Sequence, residues 1–323
     1  IKLDEGVITV WSPIARGLSR LYSGMGLTAS AAEPLHTAFW WVHFAIILGF
    51  LVYIPRSKHL HIMVSPFNIF FRSLEPKGTQ VKPIDLEKAQ NFGASRIQHY
   101  TWKQLLDVYA CTQCGRCQVN CPAFLTGKPL SPKKVVLDLK HHLLEQKPVA
   151  AAAAAPAEGA VAAPVEGGDP KHQLIGGVIL EDELWACTTC RACMEQCPVL
   201  IEHVPKIIEL RRSLVLEQAK LADSAAEGAL RSIEARGHPW RGTTASRTDW
   251  ASGLGIKVLS EDKNIDVLYW VGCTAALEER NMKVAAAMSR VLKAAGINFG
   301  ILGTEETCCG EPALRMGNEY LFQ

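Results

Sequence analysis

The chain has 323 residues, of which 48% are hydrophobic and 20% charged, so it is neither a disordered chain nor a protein built mainly of membrane helices. Its formal net charge is +2, which gives no general indication of nucleic-acid binding. The 11 cysteines occur in three tight groups. Because a chain of this size does not depend on disulfides for stability, the grouping predicts metal clusters in a reducing compartment.

Both ends indicate a piece of a longer polypeptide. The chain begins at Ile1 without a Met or a signal peptide. It stops at Gln323, soon after a cysteine pair and within a predicted helix. We therefore expect some cofactor ligands to lie outside this chain.

The first predicted element is an apolar helix over 35–64, preceded by an extracytoplasmic or amphipathic lead-in over 1–34. The stretch from Ala38 to Ile54 has no charged side chain, and with its flanks it reaches about 31 Å, enough to cross a bilayer. Aromatic residues near both ends, including Trp41 and Tyr53, are typical of interfacial anchors. A buried core helix is the alternative.

Charge predicts the orientation of this helix. Basic residues clearly outnumber acidic ones from Arg56 to Lys103, but not before the helix. The positive-inside rule therefore places everything after Tyr53 in the cytoplasm, with 65–107 as a basic connector. The predicted location is the inner (cytoplasmic) membrane, with the cysteine-rich domains on the cytoplasmic side.

Two histidines of the apolar segment predict a function. His43 lies within the apolar run, where an ionisable side chain is costly. His61 follows about five helical turns later, so on one continuous helix both imidazoles face the same side, about 27 Å apart. Two haems stacked across a bilayer need this arrangement. The alternative is one core histidine with its hydrogen bonds satisfied, followed by a basic interfacial tail, and it explains the spacing equally well. His36 lies near the same face, whereas His59 points away.

The stretch VHFAIILGFLVYIPRSKHLHIMVSP resembles the last haem-binding helix of the respiratory nitrate reductase gamma subunit family. The resemblance includes both histidines and four flanking residues, namely Pro55, Ser57, Ser65 and Pro66. It implies that His43 and His61 ligate one or two b-type haems, with partner histidines from outside this segment. Pro55 is expected to kink the helix.

Two copies of a C-x2-C-x2-C-x3-C-P motif follow. In such a pair, three closely spaced thiolates bind one [4Fe-4S] cluster and the fourth cysteine ligates the other cluster. The first predicted ligand set, which we call the Cys111 set, is Cys111, Cys114, Cys117 and Cys197. The second predicted set, which we call the Cys187 set, is Cys187, Cys190, Cys193 and Cys121.

Other interpretations of these motifs are weaker. A single C-x-x-C suits zinc or a redox dithiol, but two complete runs with a trailing proline favour clusters. Helical patterns at Thr101 to Ala110 and at Val204 to Gln218 predict an α-helical ferredoxin domain over 108–215. Arg116 and Arg191 are either solvated loop charges or groups that stabilise the reduced clusters.

Two segments between the cysteine groups are predicted to be connecting chain. The segment 148–170 is rich in alanine, proline and glycine, which predicts a flexible insert within the ferredoxin domain. The segment 216–262 is predicted to connect this domain to the next.

The third cysteine group lies in a predicted α/β module over 263–323. A strand ends at Cys273, an amphipathic helix covers Glu278 to Ala295, and a second strand precedes the pair Cys308 and Cys309. Three thiols at strand ends suit a thiolate metal site. A vicinal disulfide or two buried thiols are the alternative.

This group, with its Cys-Cys-Gly-Glu-Pro run and the following Arg315, Gly317 and Glu319, resembles the CCG domain of heterodisulfide reductase subunits and of iron–sulfur subunits of glycolate and lactate oxidases. In the reductases two such motifs hold an unusual [4Fe-4S] site. One motif is present here. The resemblance therefore implies the first half of a CCG domain and an additional [4Fe-4S] site at Cys273, Cys308 and Cys309 that a second motif would complete.

The predicted fold class is thus a membrane α-helix, an α-helical ferredoxin domain and the start of an α/β CCG domain. The chain has no Rossmann glycine fingerprint and no nucleophile triad. The order of its parts resembles membrane-bound iron–sulfur oxidoreductases that are proposed to pass electrons from electron-transferring flavoprotein to menaquinone. The resemblance implies a quinone-linked oxidoreductase whose partners are membrane lipid, quinone and a soluble flavoprotein, without nucleic acid.

Two alternatives to this function remain. The first is a heterodisulfide-reductase-like enzyme that acts on a thiol or disulfide at the CCG cysteines. The second is a non-catalytic electron conduit within a larger respiratory complex. The sequence does not identify catalytic residues for any of them.

Overall fold

The computed structural model describes residues 13–26, 28–76, 81–145, 173–240 and 243–323. The chain divides into two compact units, Ile1–Met63 and Val64–Gln323. The predicted flexible insert at 148–170 lies outside the described residues, as does the beginning of the predicted lead-in.

The first unit is helical. Helix α1 comprises Pro13–Gly24, and helix α2 comprises Ala29–Tyr53. At 25 residues, α2 is about 37 Å long, which exceeds the ~30 Å hydrocarbon core of a bilayer. The stretch Ser30–Arg56 is both long and apolar enough to cross a membrane. Its large apolar side chains are exposed on the chain, as those of a helix in contact with lipid would be.

The apolar helix ends at Tyr53. A 3-10 turn, Ile54–Arg56, follows it, and Ser57 is extended with φ −116° and ψ 173°. The Ser57 hydroxyl donates a hydrogen bond to the Ile54 carbonyl at 3.1 Å, which stabilises the break. The next helix, α3, comprises Leu60–Phe70.

The expectation that His43 and His61 lie on one continuous helix is therefore wrong. Pro55 lacks a backbone N–H and its ring crowds the preceding turn, so the helix stops there rather than bending gently. His43 lies in α2, and His61 lies in the first turn of α3.

The second unit begins within α3 and continues through short helices. Its cluster-bearing part contains α4 (Trp102–Ala110), α5 (Arg116–Val119), α6 (Pro122–Leu125), α7 (Pro132–Glu145), α8 (Glu181–Trp185), α9 (Ala192–Glu195) and α10 (His203–Arg212). A π-helical turn, Ser213–Glu217, extends α10. The helices predicted around the cysteine motifs are confirmed as α4 and as α10 with its π turn.

These helices share one apolar core. Its fully buried members include Val108 of α4, Leu139 of α7, Leu184 of α8 and Leu210 of α10. The predicted connector over 65–107 contributes to the same core through buried residues such as Ile97. Thr101 starts α4 with a capping box, in which its side chain and that of Gln104 each accept a backbone N–H of the other residue.

The rest of the unit forms an α/β module. Helix α11 (Ser224–Arg236) and a 3-10 helix (Thr244–Ala251) lead into it. The remaining elements are β1 (Lys257–Val258), β2 (Val267–Leu268), α12 (Cys273–Leu277), α13 (Glu279–Ala294), β3 (Phe299–Ile301), α14 (Glu311–Met316) and α15 (Glu319–Phe322).

The three strands form a parallel sheet in the order β1-β3-β2. The predicted strand–helix–strand unit is confirmed as β2, α13 and β3. Strand β1 lies within the predicted connector 216–262, so the sheet begins earlier in the chain than the sequence pattern indicated. Two residues are too few for a periodic pattern, which explains why β1 was missed.

Candidate iron–sulfur and CCG sites

The structure brings the four members of the Cys111 set together. Cys111 and Cys114 lie on the loop that joins α4 to α5, Cys117 lies in the first turn of α5, and Cys197 comes from the loop after α9. Burial raises the pKa of the Cys117 thiol to about 11, and negative charge on the other three members of the set contributes to the same shift. Burial also raises the pKa values of Cys111 and Cys197.

The Cys187 set converges in the same way. Burial raises the pKa of Cys193 far above its usual range, and the next cause is repulsion from Cys187. Cys117, Cys121 and Cys190 also interact electrostatically with Cys193. Each set thus takes its fourth cysteine from the opposite motif.

The two sets meet at Cys117 and Cys193. Both side chains pack in one small apolar cluster with Val204 and Ile208 of α10. Cys117 also raises the pKa of Cys193 through its charge. The sets are therefore neighbours, as one-electron transfer between two clusters requires.

Both cysteine loops have the same backbone shape. Gln113 and Thr189 occupy equivalent positions and have left-handed φ values of 57° and 53°. Gly115 and Arg191, at the next equivalent positions, have φ values of 80° and 68° and precede α5 and α9. The left-handed residues turn each loop back on itself, which directs three sulfurs to one side.

Backbone N–H groups also point at the sulfurs. The amide of Thr189 donates to Cys187 Sγ at 3.4 Å, and the amide of Ile201 donates to Cys197 Sγ at 3.3 Å. Hydrogen bonds of this kind stabilise the negative charge of a thiolate cluster and tune its reduction potential.

The donor set fits a [4Fe-4S] cluster better than a single ion. All 11 cysteines have free thiols. Among the described residues, no group of three or more His, Cys, Asp or Glu side chains is close enough to hold one metal ion. A cubane spreads four thiolates over four irons, so it needs this looser arrangement. The Cys187 set lines one small cavity together with apolar residues such as Leu130 and Ile207.

A buried ion network lies beside Cys197, and sequence reasoning missed it. Asp107 of α4 and Lys206 of α10 form an ion pair with both side chains essentially unexposed. Lys103 joins it at 2.9 Å from Asp107 Oδ1 and 3.4 Å from Glu202. Asp107 raises the pKa of Cys197, so its charge acts on the Cys111 set. In the sequence, only the pair of Lys103 and Asp107 could be recognised, because oppositely charged residues four positions apart are neighbours on a helix.

The third group lies at the edge of the parallel sheet. Cys273 is the first residue of α12, and Cys308 and Cys309 lie on the loop before α14. Cys273 and Cys308 are within hydrogen-bonding reach, and burial raises the pKa of Cys308. All three thiols line an open cavity with an empty volume of about 750 Å³. Cys308 and Cys309 both have free thiols in the structure.

A buried arginine supports this site. Arg247 Nη1 donates to Cys273 Sγ at 3.4 Å, and Nη2 donates to Glu306 at 2.6 Å. Glu306 also accepts the backbone N–H groups of Val271 and Gly272 at 3.1 and 2.7 Å. Burial alone would lower the pKa of Arg247, but Cys273 and Glu306 outweigh it and raise this pKa. These contacts join chain segments that no local pattern relates.

The histidines predicted to bind haem lie in the first unit. His43 is in the apolar part of α2, and its side chain is exposed on the chain. His61 Nδ1 lies 2.7 Å from the Lys58 carbonyl. A hydrogen bond between one ring nitrogen and a carbonyl is common in metal-ligating histidines, where it orients the ring.

Comparisons with known families identify two domains. The 4Fe-4S dicluster domain matches residues 107–201, and the cysteine-rich CCG domain matches residues 267–323. The first match includes every member of both cysteine sets, and the second includes Cys273, Cys308 and Cys309. No solved structure matches the chain significantly.

Three curated relatives are similar over most of the chain. A probable iron-sulfur-binding oxidoreductase, FadF, of Bacillus subtilis is 41% identical over the whole chain and 50% of its own length. An EtfAB:quinone oxidoreductase of Syntrophomonas wolfei is 40% identical over 92% of the chain and 43% of its own length. A probable membrane-anchored ferredoxin of Chromohalobacter salexigens is 37% identical over 78% of the chain and 38% of its own length.

The chain spans half or less of the length of these relatives. The domains, the cysteine sets and the relatives nevertheless agree with one another. The chain therefore carries a 4Fe-4S dicluster domain followed by a CCG domain, and it is a homologue of iron–sulfur oxidoreductases.

Proposed function

We propose that this chain passes electrons between a soluble flavoprotein of the electron-transferring type and a quinone in the cytoplasmic membrane. The observation that carries the proposal is the convergence of eight cysteines into two adjacent sets, in a chain where an apolar helix precedes them and a third cysteine site follows them in the sequence. Bound clusters would supply one-electron steps between a flavin and a quinone. The similarity to an EtfAB:quinone oxidoreductase supports this choice of partners.

The contacts of the two sets favour one order along the relay. Helix α3, which follows the apolar helix in the chain, packs beside the Cys111 set. Asn68 Nδ2 donates to the Val199 carbonyl at 2.8 Å, two residues after Cys197, and Ser65 lies 3.4 Å from the carbonyl that precedes Cys111. The Cys111 set is therefore proposed as the cluster nearer the membrane end of the chain.

The Cys187 set lies toward the CCG module. Arg211 of α10 donates to the Cys187 carbonyl at 2.6 Å and to the Arg315 carbonyl of α14 at 2.7 Å. We therefore propose the order CCG cysteines, Cys187 set, Cys111 set and membrane. The same path serves either direction, so quinol as the donor reverses the order.

We also propose that His43 and His61 ligate haem b. An ionisable side chain within an apolar helix is costly and is retained mainly for function, and the carbonyl contact of His61 suits a ligand. The partner histidines would come from other parts of the longer protein. Haem at this position would connect the Cys111 set to quinone within the bilayer.

The first test is a dithionite-reduced minus oxidised visible spectrum of the detergent-solubilised full-length protein. A sharp haem b α-band is expected, and His43→Ala should remove or weaken it. Broad iron–sulfur bleaching without any haem band would reject the haem ligands and leave the relay to be tested separately.

The relay order is tested by rapid freeze-quench EPR after mixing the full-length protein with reduced flavoprotein. Cys190→Ser, in the Cys187 set, should prevent fast reduction of the remaining cluster. Cys114→Ser, in the Cys111 set, should leave fast reduction of the Cys187 cluster intact and abolish reduction of quinone. The opposite pattern would reverse the proposed order.

A second candidate function is a thiol or disulfide reaction at the CCG site. The open cavity at Cys273, Cys308 and Cys309, with Arg247 on one sulfur, favours it. It predicts turnover of a small disulfide that stops in Cys309→Ser. The third candidate, a conduit without turnover of its own, predicts that the full-length protein co-purifies with redox subunits and is inactive without them.

A further inference from the structure

Arg211 lies at the end of α10 and holds the backbone of one cluster ligand. Its side chain is almost completely buried, with the residue 4% exposed. Nε and Nη2 donate to the Leu184 carbonyl at 3.1 and 2.5 Å, and Nη2 also donates to the Cys187 carbonyl at 2.6 Å. Leu184 belongs to the last turn of α8, so the guanidinium caps the helix that leads into the Cys187 loop.

The same guanidinium caps a helix of the CCG module. Nη1 donates to the Arg315 carbonyl at 2.7 Å, in the last turn of α14, which begins just after Cys309 and Gly310. Gly317 lies directly against α10 here. A Cβ at Gly317 would lie 2.6 Å from the carbonyl carbon of Arg211, and its φ of +81° also favours glycine. One side chain therefore joins the helix before Cys187 to the helix after Cys309.

Arg211 is also a buried cation whose hydrogen bonds, among the described residues, all go to backbone carbonyls. The ring of Trp185 lies 5.2 Å from its guanidinium and provides a cation–π contact. The neighbouring Arg212 differs, because it pairs with Glu209 at 2.7 Å and with Glu319 at 2.5 Å. A buried cation without a carboxylate is costly unless another anion lies nearby. Burial lowers the pKa of Arg211, and negative charge at Cys187 acts in the opposite direction and favours the charged guanidinium.

We propose that Arg211 is a positioning residue that raises the reduction potential of the Cys187 cluster and aligns that cluster with the CCG cysteines. The proposal rests on the Cys187 set as the ligands of one cluster in the proposed relay. Reduction makes a thiolate cluster more negative, so a fixed cation beside it favours the reduced form. Asp107 and Lys206, the buried charges beside the Cys111 set, pair with each other instead.

The test is an EPR-monitored redox titration of the purified full-length protein with mediators, comparing Arg211→Gln and Arg211→Lys. In Arg211→Gln, one of the two cluster reduction steps should move to lower potential while the other stays unchanged. Arg211→Lys keeps the charge and should retain most of the original potential. The proposal is wrong if neither step moves, if both steps move equally, or if the two variants behave alike.

Gly317→Ala separates the charge from the contact between modules. Its methyl group would push α14 away from α10, so faster proteolysis between the two domains is expected, with both potentials unchanged. If Gly317→Ala shifted the reduction potential as much as Arg211→Gln does, the shift would be assigned to packing between the modules. The electrostatic part of the proposal would then be overturned.

If Arg211→Gln loses the Cys187 cluster, the potential of that cluster is not measured in this variant, and Arg211→Lys becomes the deciding variant. Full iron content and the original potential in the lysine variant would support the proposal, and cluster loss in both variants would overturn its claim about charge. The mediators replace flavoprotein and quinone as electron donor and acceptor. The titration therefore tests the role of Arg211 even if the proposed function names the wrong partners.

Discussion

The two cysteine loops share a backbone shape but differ in their surroundings. Both turn through left-handed residues at equivalent positions, Gly115 and Arg191 among them. The Cys111 set lies beside the paired charges of Asp107 and Lys206, whereas the Cys187 set lies beside Arg211 and its carbonyl partners. The spacing of a motif therefore determines the shape of its loop, and residues distant in the sequence determine the charge around it.

The largest expected effect tests how the two loops share ligands. Cys197→Ser should remove the Cys111 cluster, although Cys197 lies in the second motif. The reason is that the sulfur of Cys197 lies near those of Cys111 and Cys117. Iron content should fall by about four atoms per protein, the content of one [4Fe-4S] cluster. Native-state alkylation, read by mass spectrometry, should then label the three remaining members of the Cys111 set.

Cys121→Ser is the matched reciprocal variant. It should expose Cys187, Cys190 and Cys193 to alkylation and leave the Cys111 set protected. Labelling within the mutated motif in either variant would mean that each motif holds its own cluster, and the crossed assignment would be withdrawn.

The second effect concerns the paired charges beside the Cys111 set. Asp107→Asn leaves Lys206 buried without its carboxylate, so the free energy of unfolding should fall by about 3–5 kcal/mol. Denaturant unfolding under anaerobic conditions measures this. Glu227→Gln is the control, because its pair with Arg231 is exposed and its loss should cost no more than about 1 kcal/mol. Equal effects of the two changes would show that the buried pair has no special role.

The third effect is a pH dependence from the same region. Burial, together with the charge of Lys206, lowers the pKa of His203 to about 4, against the opposing charge of Asp107. As the pH falls through about 6.5, His203 therefore binds a proton in the unfolded state but not in the folded state. Stability is complete above that pH and falls as the pH drops toward 4.

This loss should reach about 1.4 kcal/mol at pH 5.5 relative to pH 7.5. Unfolding free energies of the native protein and of His203→Gln at the two pH values measure it. The slope should flatten in the variant. An unchanged slope would assign the pH dependence to other groups.

Sequence reasoning found what depends on local spacing. The C-x2-C-x2-C-x3-C-P runs predicted which cysteines would gather, and the strand–helix–strand pattern around Cys273 predicted the α/β module. The break at Ser57 was missed, because Pro55 permits either a kink or a stop and the choice depends on the hydroxyl contact of Ser57. Arg211 and Arg247 were missed because their partners are distant in the chain and nothing local marks an arginine as buried.

The smallest effect compares the two loops at a single position. Gly115 and Arg191 occupy equivalent left-handed positions, with φ values of 80° and 68°. A Cβ at Gly115 would meet nothing within 4 Å, so Gly115→Ala should cost only the left-handed strain, about 1 kcal/mol. Both clusters should still load, because the second loop has this backbone shape with a large side chain. Iron content and denaturant unfolding measure the two outcomes separately.

A loss of the Cys111 cluster from Gly115→Ala would contradict this equivalence. It would mean that the first loop needs glycine for the approach of its cluster, and not for backbone freedom alone. Arg191→Gly is the matched change in the second loop, and there both the iron content and the potential of the Cys187 cluster should remain. If that variant instead lowered the potential, Arg191 would join Arg211 as a charge that distinguishes the second cluster from the first.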